Sequence, residues 1–416
     1  MGVIDFIKGK IPDLRYYDKI IEMFLYILIF CLPFSKAMIE ISATFIILAW
    51  IVKKIFNWRP VSSYLNVPIV AYIIATLLSV VFSSNFTLSL KNFGSKTMEY
   101  IFLFLIVSEF ACNKRRLKNI VIVMLASAAM IGIDCIFQYF FGFDFLRSRV
   151  LEAGRITGSF QMPGDLAGYL TPVLCLPLAL CFLELKKWIK YFLRIESIVL
   201  LSLVFVSLVR GAWIGFIAAV CFLGMLENRK ILYVTVAFLL IFAMVMPHLI
   251  EAPGNILERI KSIFVLSDPS SLDRKTIWQV AVRMIKEKPL FGQGLSTFMG
   301  NFARFGKDYY YLKHGIIPYA HNCYLQIAAE TGIVGLASFL VLLGTFFVHT
   351  IKSLAKIKDR FYHAVLTGVS AGIIVTLVHS AVDTNLYSLQ LSVLFWVMLG
   401  LNAALQRSFT FEEARN

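Results

Sequence analysis

The chain has 416 residues, of which 59% are hydrophobic and only 16% are charged, and its mean hydropathy is +0.78. Soluble domains carry about 25% charged residues, so this composition excludes an ordinary soluble protein and predicts a polytopic integral membrane protein with one helical domain over residues 1–416. The net charge of +15 comes from short basic clusters between apolar runs, a pattern that sets membrane topology and does not indicate a nucleic-acid partner.

Apolar runs long enough to cross the hydrocarbon core of a bilayer, about 20 residues each, recur along the whole chain. The expected fold is therefore all-α, with about 12 transmembrane helices. The predicted spans are 20–34, 37–52, 66–83, 95–112, 118–140, 165–185, 192–209, 212–226, 231–247, 322–348, 362–380 and 386–406.

The basic residues predict how these spans are oriented. Lys and Arg collect in alternate loops, as at Lys53 and Lys54 or Lys114 and Arg115. Since such clusters favour cytoplasmic loops, both termini are predicted to be cytoplasmic. Residues 248–321, between the ninth and tenth spans, then form one large loop on the outer side of the membrane.

This loop contains a predicted helix. Apolar residues, among them Ile277, Ala281 and Ile285, recur at helical spacing from Asp273 to Lys288, and a proline follows. The pattern is typical of an amphipathic helix, and we expect it to lie on the membrane surface.

An ionisable residue, His321, stands at the mouth of the tenth span, directly after the outer loop. Taken alone, such a His is more often an interfacial or capping side chain than a catalytic group. A second His, His379, and Asp383 close the eleventh span at a spacing that places both on one helix face, and we interpret them as a structural polar pair.

Three arginines also fall on the outer side, where the charge rule does not favour them. Arg210 ends the seventh span, Arg274 lies in the first turn of the loop helix, and Arg155 lies in the loop before the sixth span. A guanidinium suits phosphate oxygens, and the exposed amides of a helix start suit an anion. The ordinary alternatives are a snorkelling side chain for Arg210 and a solvated loop charge for Arg155.

One signature and three supporting motifs are similar to those of one family. His321-Asn322, nine residues and then Gly332-Ile333-Val334-Gly335 resemble the His-Asn/Ser/Gln-x9-Gly-x-x-Gly signature of the bacterial O-antigen ligase and O-antigen polymerase family. The supporting matches are Arg210-Gly211-Ala212-Trp213, Arg274 with Trp278 and the turn 289–294, and Arg155 with Gly158-Ser159-Phe160. One departure lies at Met162-Pro163-Gly164-Asp165, where relatives often carry Asn after the proline.

The resemblance implies an O-antigen ligase in the bacterial inner membrane, with its active site facing the periplasm. The implied donor is a glycan on undecaprenyl diphosphate, and the implied acceptor is a sugar hydroxyl of lipid A-core. Arg210, Arg274 and Arg155 would bind the diphosphate, His321 would act as general base, and Asn322 could orient substrate. The implied displacement inverts the anomeric centre and uses no cofactor, ATP or metal; the seven cysteines show no metal-ligand spacing.

Two alternatives stay open at this stage. A polymerase of the same family would use the same donor and extend another lipid-linked glycan, and the family also includes protein-glycosylating enzymes. A non-catalytic flippase belongs to a different class. It would carry polar groups through the bundle, whereas the informative charges here gather at the outer side.

Overall fold

The computed structural model describes residues 14–226, 229–230, 232–237, 269–306 and 318–413. Within these ranges the fold is all-α, as predicted, and β-structure is confined to isolated bridges in the loop 142–160. The α-helices are α1 (Leu14–Cys31), α2 (Lys36–Phe56), α3 (Asn66–Val81), α4 (Phe86–Asn92), α5 (Glu99–Phe110), α6 (Lys114–Phe141), α7 (Pro163–Leu180), α8 (Lys187–Val206), α9 (Arg210–Leu226), α10 (Pro269–Glu287), α11 (Phe298–Gly306), α12 (Cys323–Leu354), α13 (Arg360–His379) and α14 (Leu389–Glu413). A π-helix, Phe93–Met98, joins α4 to α5, and a 3-10 helix, Asn385–Tyr387, precedes α14.

A helix lies at each predicted span except 231–247, most of which falls outside the described residues. In the described part of the chain, five helices are long and apolar enough to cross a membrane, namely α6, α7, α12, α13 and the Leu389–Ser408 part of α14, whereas α3 and α9 are apolar but shorter. These helices support a membrane protein, but the predicted number of twelve spans is not confirmed. There are two reasons: α1 carries charged residues such as Asp18 and Glu22, and the π-helix shortens α5.

Helices α7 and α13 form the centre of the bundle and run antiparallel. Gly372 faces the Pro172 carbonyl so closely that a Cβ atom there would lie 2.6 Å from its oxygen, and Gly368 faces Leu176 one turn further on. Small residues allow such close backbone approach between membrane helices. The pairing brings the start of α7 beside the end of α13, where Asp383 follows.

Helix α10 forms as its periodicity predicts, but protein covers its apolar face. Ile277, Ala281 and Met284 are buried, and they pack against Phe298 and Phe302 of α11 and against Ala329 of α12. We expected lipid to cover this face. The periodicity predicts which side of the helix is apolar, whereas the partner is determined by the three-dimensional packing.

Helix α12 is interrupted where the turn after α10 packs against it. Gly332 has φ +69° and ψ −174°, and a Cβ atom at this position would collide with the Leu290 carbonyl. The backbone N–H of Ile333 donates to the Pro289 carbonyl over 2.8 Å. The turn and the helix interruption therefore fit together, which explains why glycine is required at residue 332.

Glu330, just before the interruption, also holds this part of the structure through buried hydrogen bonds. It is 1% exposed, and its carboxylate accepts hydrogen bonds from the backbone N–H groups of Ser296 (2.9 Å) and Phe298 (3.2 Å) and from the hydroxyl of Tyr387 (3.1 Å). A buried carboxylate with several donors holds its surroundings in one arrangement. Glu330 thus links the segment after α10 to α12 and to the 3-10 helix.

Candidate functional site

A cavity of about 960 Å³ lies between the starts or ends of several helices. Its lining contains four of the five predicted site residues: Arg155, Arg210, Arg274 and His321. These residues come from four separate parts of the chain. The structure therefore brings the predicted phosphate-binding arginines and the predicted general base to one space.

The backbone around His321 is held on both sides. The indole of Trp278 donates to the Ala320 carbonyl over 3.0 Å, and the backbone N–H of Cys323 donates to the Ser380 carbonyl over 2.8 Å. His321 itself has φ +47°, an uncommon conformation for a residue with a Cβ atom. Such strain persists only where the surrounding contacts determine the conformation, and it is frequent at functional sites.

Asn322 is used structurally. Its side-chain oxygen caps α12 by accepting from the backbone N–H of Leu325 over 2.9 Å, and its amide nitrogen donates to the Ala381 carbonyl over 2.8 Å. Both ends of the amide are therefore engaged with protein, and Asn322 is not among the residues that line the cavity. The substrate-orienting role stays a prediction, while the capping role explains why an amide follows His321.

The sequence predicted only part of the surroundings of Asp383. Its Oδ1 atom lies 3.3 Å from Nδ1 of His321 and accepts from the backbone N–H of Thr384 over 2.8 Å. Its Oδ2 atom lies 3.8 Å from Nε2 of His379. The expected pair with His379 is therefore present, but the carboxylate also contacts His321, 62 residues away in the chain.

The environment of Asp383 favours its charged form. Burial alone would raise the pKa of this carboxyl, but the hydrogen bond with His321 and the electrostatic interactions with His379 and His321 hold the pKa well below its usual range. The side chain of His321 is 39% exposed, whereas that of His379 is 1% exposed. The imidazole of His321 is therefore open to the cavity, whereas that of His379 belongs to the cavity wall but is almost fully enclosed by protein.

The loop that carries Arg155 is ordered by buried polar side chains. Gln138 of α6 accepts through its side-chain oxygen from the backbone N–H groups of Thr157 and Gly158, each over 2.8 Å. Asp144 accepts from the backbone N–H groups of Arg147 and Arg149, among others. These bonds fix the loop against the end of α6 and place Arg155 in the wall of the cavity.

Arg210 begins α9, directly after a reversal of the chain. Leu208 has φ +56°, and the indole of Trp213 donates to the Val204 carbonyl over 3.1 Å, which ties the end of α8 to the start of α9. Gly211 follows Arg210 and lies against His379: a Cβ atom there would be 2.6 Å from Cδ2 of the imidazole. The Arg-Gly-Ala-Trp motif therefore determines both the position of the arginine and the space left for His379.

Arg274 reaches the cavity from α10, half-buried in the first part of that helix. The packing of α10 on α11 and α12 fixes where this arginine lies. Since Trp278, one turn later, bonds to Ala320, the same helix positions both Arg274 and the segment that precedes His321. A ligand anion at Arg274 would thus lie near the imidazole.

The sequence motifs do not predict the charged wall formed by α2, the π-helix and the start of α5. Lys36, Glu40 and Thr44 follow one another at four-residue spacing and share one face of α2. Beside them lie Lys96 and Glu99, and Glu99 and Glu40 are close enough for their charges to interact. The four-residue spacing is the signal that could have indicated this wall. In the sequence alone, the two lysines are indistinguishable from other charges of the short loops.

Comparison with known proteins gives two matches. Residues 197–340 match the sequence model of a family described as O-antigen ligase. A segment of 107 residues is 30% identical to a protein of Rickettsia conorii that is provisionally named a polysaccharide ligase; the match covers 24% of this chain and 25% of that protein. The chain thus spans about a quarter of the length of the relative it matches. The resemblance derived from the motifs is confirmed over residues 197–340, which contain Arg210, Arg274 and His321.

Proposed function

We propose that this chain, whose residues 197–340 match the O-antigen ligase family, transfers a glycan from undecaprenyl diphosphate to a sugar hydroxyl of lipid A-core at the periplasmic face of the bacterial inner membrane. The observation that carries the proposal is the shared cavity, in which three arginines and a His–Asp pair meet. A phosphate-binding side and a proton-accepting side are the two parts that such a transfer needs.

The arginines suit the donor. Arg155, Arg210 and Arg274 offer planar guanidinium groups that form paired hydrogen bonds with phosphate oxygens and keep their charge. When the bond between the anomeric carbon and the diphosphate oxygen breaks, negative charge grows on the leaving group. Fixed cations in a partly enclosed cavity stabilise that charge, and neither ATP nor a metal ion is part of the proposal.

The His321–Asp383 pair suits the acceptor step. Because Nδ1 of His321 faces the Asp383 carboxylate, the proton of the neutral ring belongs on Nδ1, and Nε2 keeps a lone pair. Nε2 of His321 takes the proton of the acceptor hydroxyl. At the same time the hydroxyl oxygen bonds to the anomeric carbon of the donor, and the bond between that carbon and undecaprenyl diphosphate breaks. Asp383 then stabilises the imidazolium, as a carboxylate does in other His-dependent enzymes, and one such displacement inverts the anomeric centre.

The charged wall suits the acceptor sugar. Lys36 and Lys96 offset the charges of Glu40 and Glu99 in this wall, so the side of the cavity with three arginines attracts the donor diphosphate more strongly. Carboxylates accept hydrogen bonds from sugar hydroxyls, and the rings of Tyr100 and Tyr387, which also line the cavity, present faces on which a sugar can pack. We therefore place the acceptor between this wall and His321.

The arrangement of charges along the helices supports the proposed orientation. In α2, Lys36 lies at the cavity and Lys53 and Lys54 lie 17 and 18 residues later, which is about 25 Å along a helix. In α12, His321 precedes the start and Lys352 lies in the last turn. Basic residues away from the cavity suit the cytoplasm, so the cavity faces the periplasm, both termini are cytoplasmic, and residues 248–321 form a periplasmic insertion in one membrane domain.

Labelling tests this orientation. Ser95→Cys in the cavity wall should react with a membrane-impermeant maleimide on intact spheroplasts, and Lys356→Cys should react only after permeabilisation, relative to the parent protein. The opposite labelling pattern would refute the proposed orientation.

Reconstitution tests the function. Purified protein in liposomes, with undecaprenyl-diphosphate glycan and lipid A-core, should form glycosylated lipid A-core and release the carrier lipid. His321→Ala should abolish transfer, while His349→Ala, which removes an imidazole stacked on Tyr64 outside the cavity, should keep it. Growth of glycan on the lipid carrier would identify a polymerase instead, and movement of donor across the bilayer without transfer would identify a flippase.

A further inference from the structure

Asp383 lies between two imidazoles, and the proposed function uses only one of them. His379 is enclosed by protein, with Nε2 facing Oδ2 of Asp383 at 3.8 Å. Its other ring nitrogen, Nδ1, has no hydrogen-bond partner among the described residues. A buried histidine at the cavity wall with one nitrogen directed at a functional carboxylate calls for a role of its own.

The two nitrogens of His379 indicate where its proton lies. An N–H group buried without an acceptor costs more free energy than an unused lone pair. The neutral ring therefore carries its proton on Nε2, which lies 3.8 Å from Oδ2 of Asp383, longer than a hydrogen bond but close enough for electrostatic attraction. Asp383 then attracts Nε2–H of His379 with one oxygen and accepts Nδ1–H of His321 with the other.

The ring of His379 is held in this orientation by its neighbours. Gly211 leaves no room beside Cδ2, since a Cβ atom there would lie 2.6 Å away. On the other side of the carboxylate, Gly164 approaches Oδ2 so closely that a Cβ atom would lie 3.1 Å from it. The imidazole and the carboxylate thus occupy a gap between the starts of α7 and α9.

We propose that His379 is a positioning residue for the transfer: it holds Oδ2 of Asp383, so that Oδ1 stays on His321 and keeps Nε2 of His321 available for the acceptor proton. The proposal rests on the function proposed above and adds a residue that acts through Asp383. A carboxylate held at one oxygen alone can rotate about its side-chain bonds. With both oxygens held, its orientation is fixed.

Two variants of His379 separate this role from simple packing. In His379→Gln the amide nitrogen lies at the same number of bonds from the backbone as Nε2, so it can donate to Asp383. In His379→Asn the amide nitrogen lies where Nδ1 lies and falls short of the carboxylate. We expect His379→Gln to keep most of the wild-type kcat and His379→Asn to lose about 10- to 100-fold, with the KM for the donor unchanged in both.

The double variant with Asp383 gives an independent criterion. If His379 acts through Asp383, then His379→Asn should have little further effect on kcat in the Asp383→Asn background. Equal losses in the Gln and Asn variants, or a full additional loss in the double variant, would overturn the proposal.

The protonation of the histidine rings can be measured without substrate, so the role of His379 can be tested even if no transfer is detected. Solid-state ¹⁵N NMR on histidine-labelled protein distinguishes protonated from unprotonated ring nitrogens, and His321→Ala identifies the signals of His321. We expect the proton of His321 on Nδ1 in the wild type and in His379→Gln, and a mixture of tautomers in His379→Asn. An unchanged tautomer in His379→Asn would refute the positioning role, whereas absence of transfer with this tautomer change would refute only the proposed function.

Discussion

Oδ1 of Asp383 lies 3.3 Å from Nδ1 of His321, so the carboxylate after α13 orients the imidazole before α12. Asp383→Asn can still accept from Thr384 but no longer stabilises a protonated His321. We predict a loss of about 10²- to 10⁴-fold in kcat, the range that a general base supplies. The measurement is the initial rate of transfer in liposomes. Asp359→Asn, at the start of α13, serves as the matched control and should remain active.

Asp383 should also affect stability in acid. Its folded-state pKa lies below the ordinary value of about 3.9, so it contributes stability that is fully present above that pH and lost as the pH falls through the folded-state pKa. The difference in melting temperature between wild type and Asp383→Asn should shrink as the pH falls below about pH 4, relative to its value at about pH 5. A difference that grows below pH 4 would contradict this sign.

Arginine geometry should matter for the donor. Arg274→Lys keeps the positive charge but loses the planar pair of donors, and we expect the KM for the lipid-linked donor to rise about tenfold, which corresponds to about 1.4 kcal/mol. Arg210→Lys should act in the same direction. Arg283→Lys, on the same helix as Arg274 and bonded to the Phe305 carbonyl, is the control. Unchanged donor KM in both cavity variants would remove the arginines from the donor site.

Gly332 and Gly344 lie in the same helix, and we predict that alanine at the two positions has opposite effects on stability. Gly332→Ala combines a positive φ with a collision at the Leu290 carbonyl, and should destabilise the protein by more than about 2 kcal/mol. A Cβ atom at Gly344 would meet no atom of the described residues within 4 Å, so alanine there should be neutral or stabilising by up to about 1 kcal/mol. Thermal unfolding in detergent compares the two variants.

Asn322 should contribute to stability because it caps the start of α12. Asn322→Ser keeps an oxygen that caps α12 but loses the bond to Ala381, and Asn322→Ala loses both. We expect the melting temperatures to fall in that order, with the cap contributing about 1 kcal/mol. Transfer by Asn322→Ser should remain close to wild type. A large loss of kcat in Asn322→Ser without a loss of stability would instead favour the substrate-orienting role.

The helices and the motif residues could be predicted because their signals are local. Apolar periodicity predicts α10, and the motifs contain Arg210, Arg274 and His321. The contact between His321 and Asp383 could not be predicted in this way, since it depends on how α12 and α13 pack together. Lys96 lies in the π-helix and Glu99 directly follows it, and sequence periodicity does not predict a π-helix.

The size of the cavity limits what the protein can recognise. A volume of about 960 Å³ is that of a pocket for one drug-sized ligand, far smaller than a polymeric glycan. In the proposed reaction, only the diphosphate and the sugars next to the reacting bond would fit inside, and the rest of the glycan would extend into solvent. The protein would therefore accept short and long donor chains with similar rates, and the length distribution of the product would be decided before the donor arrives.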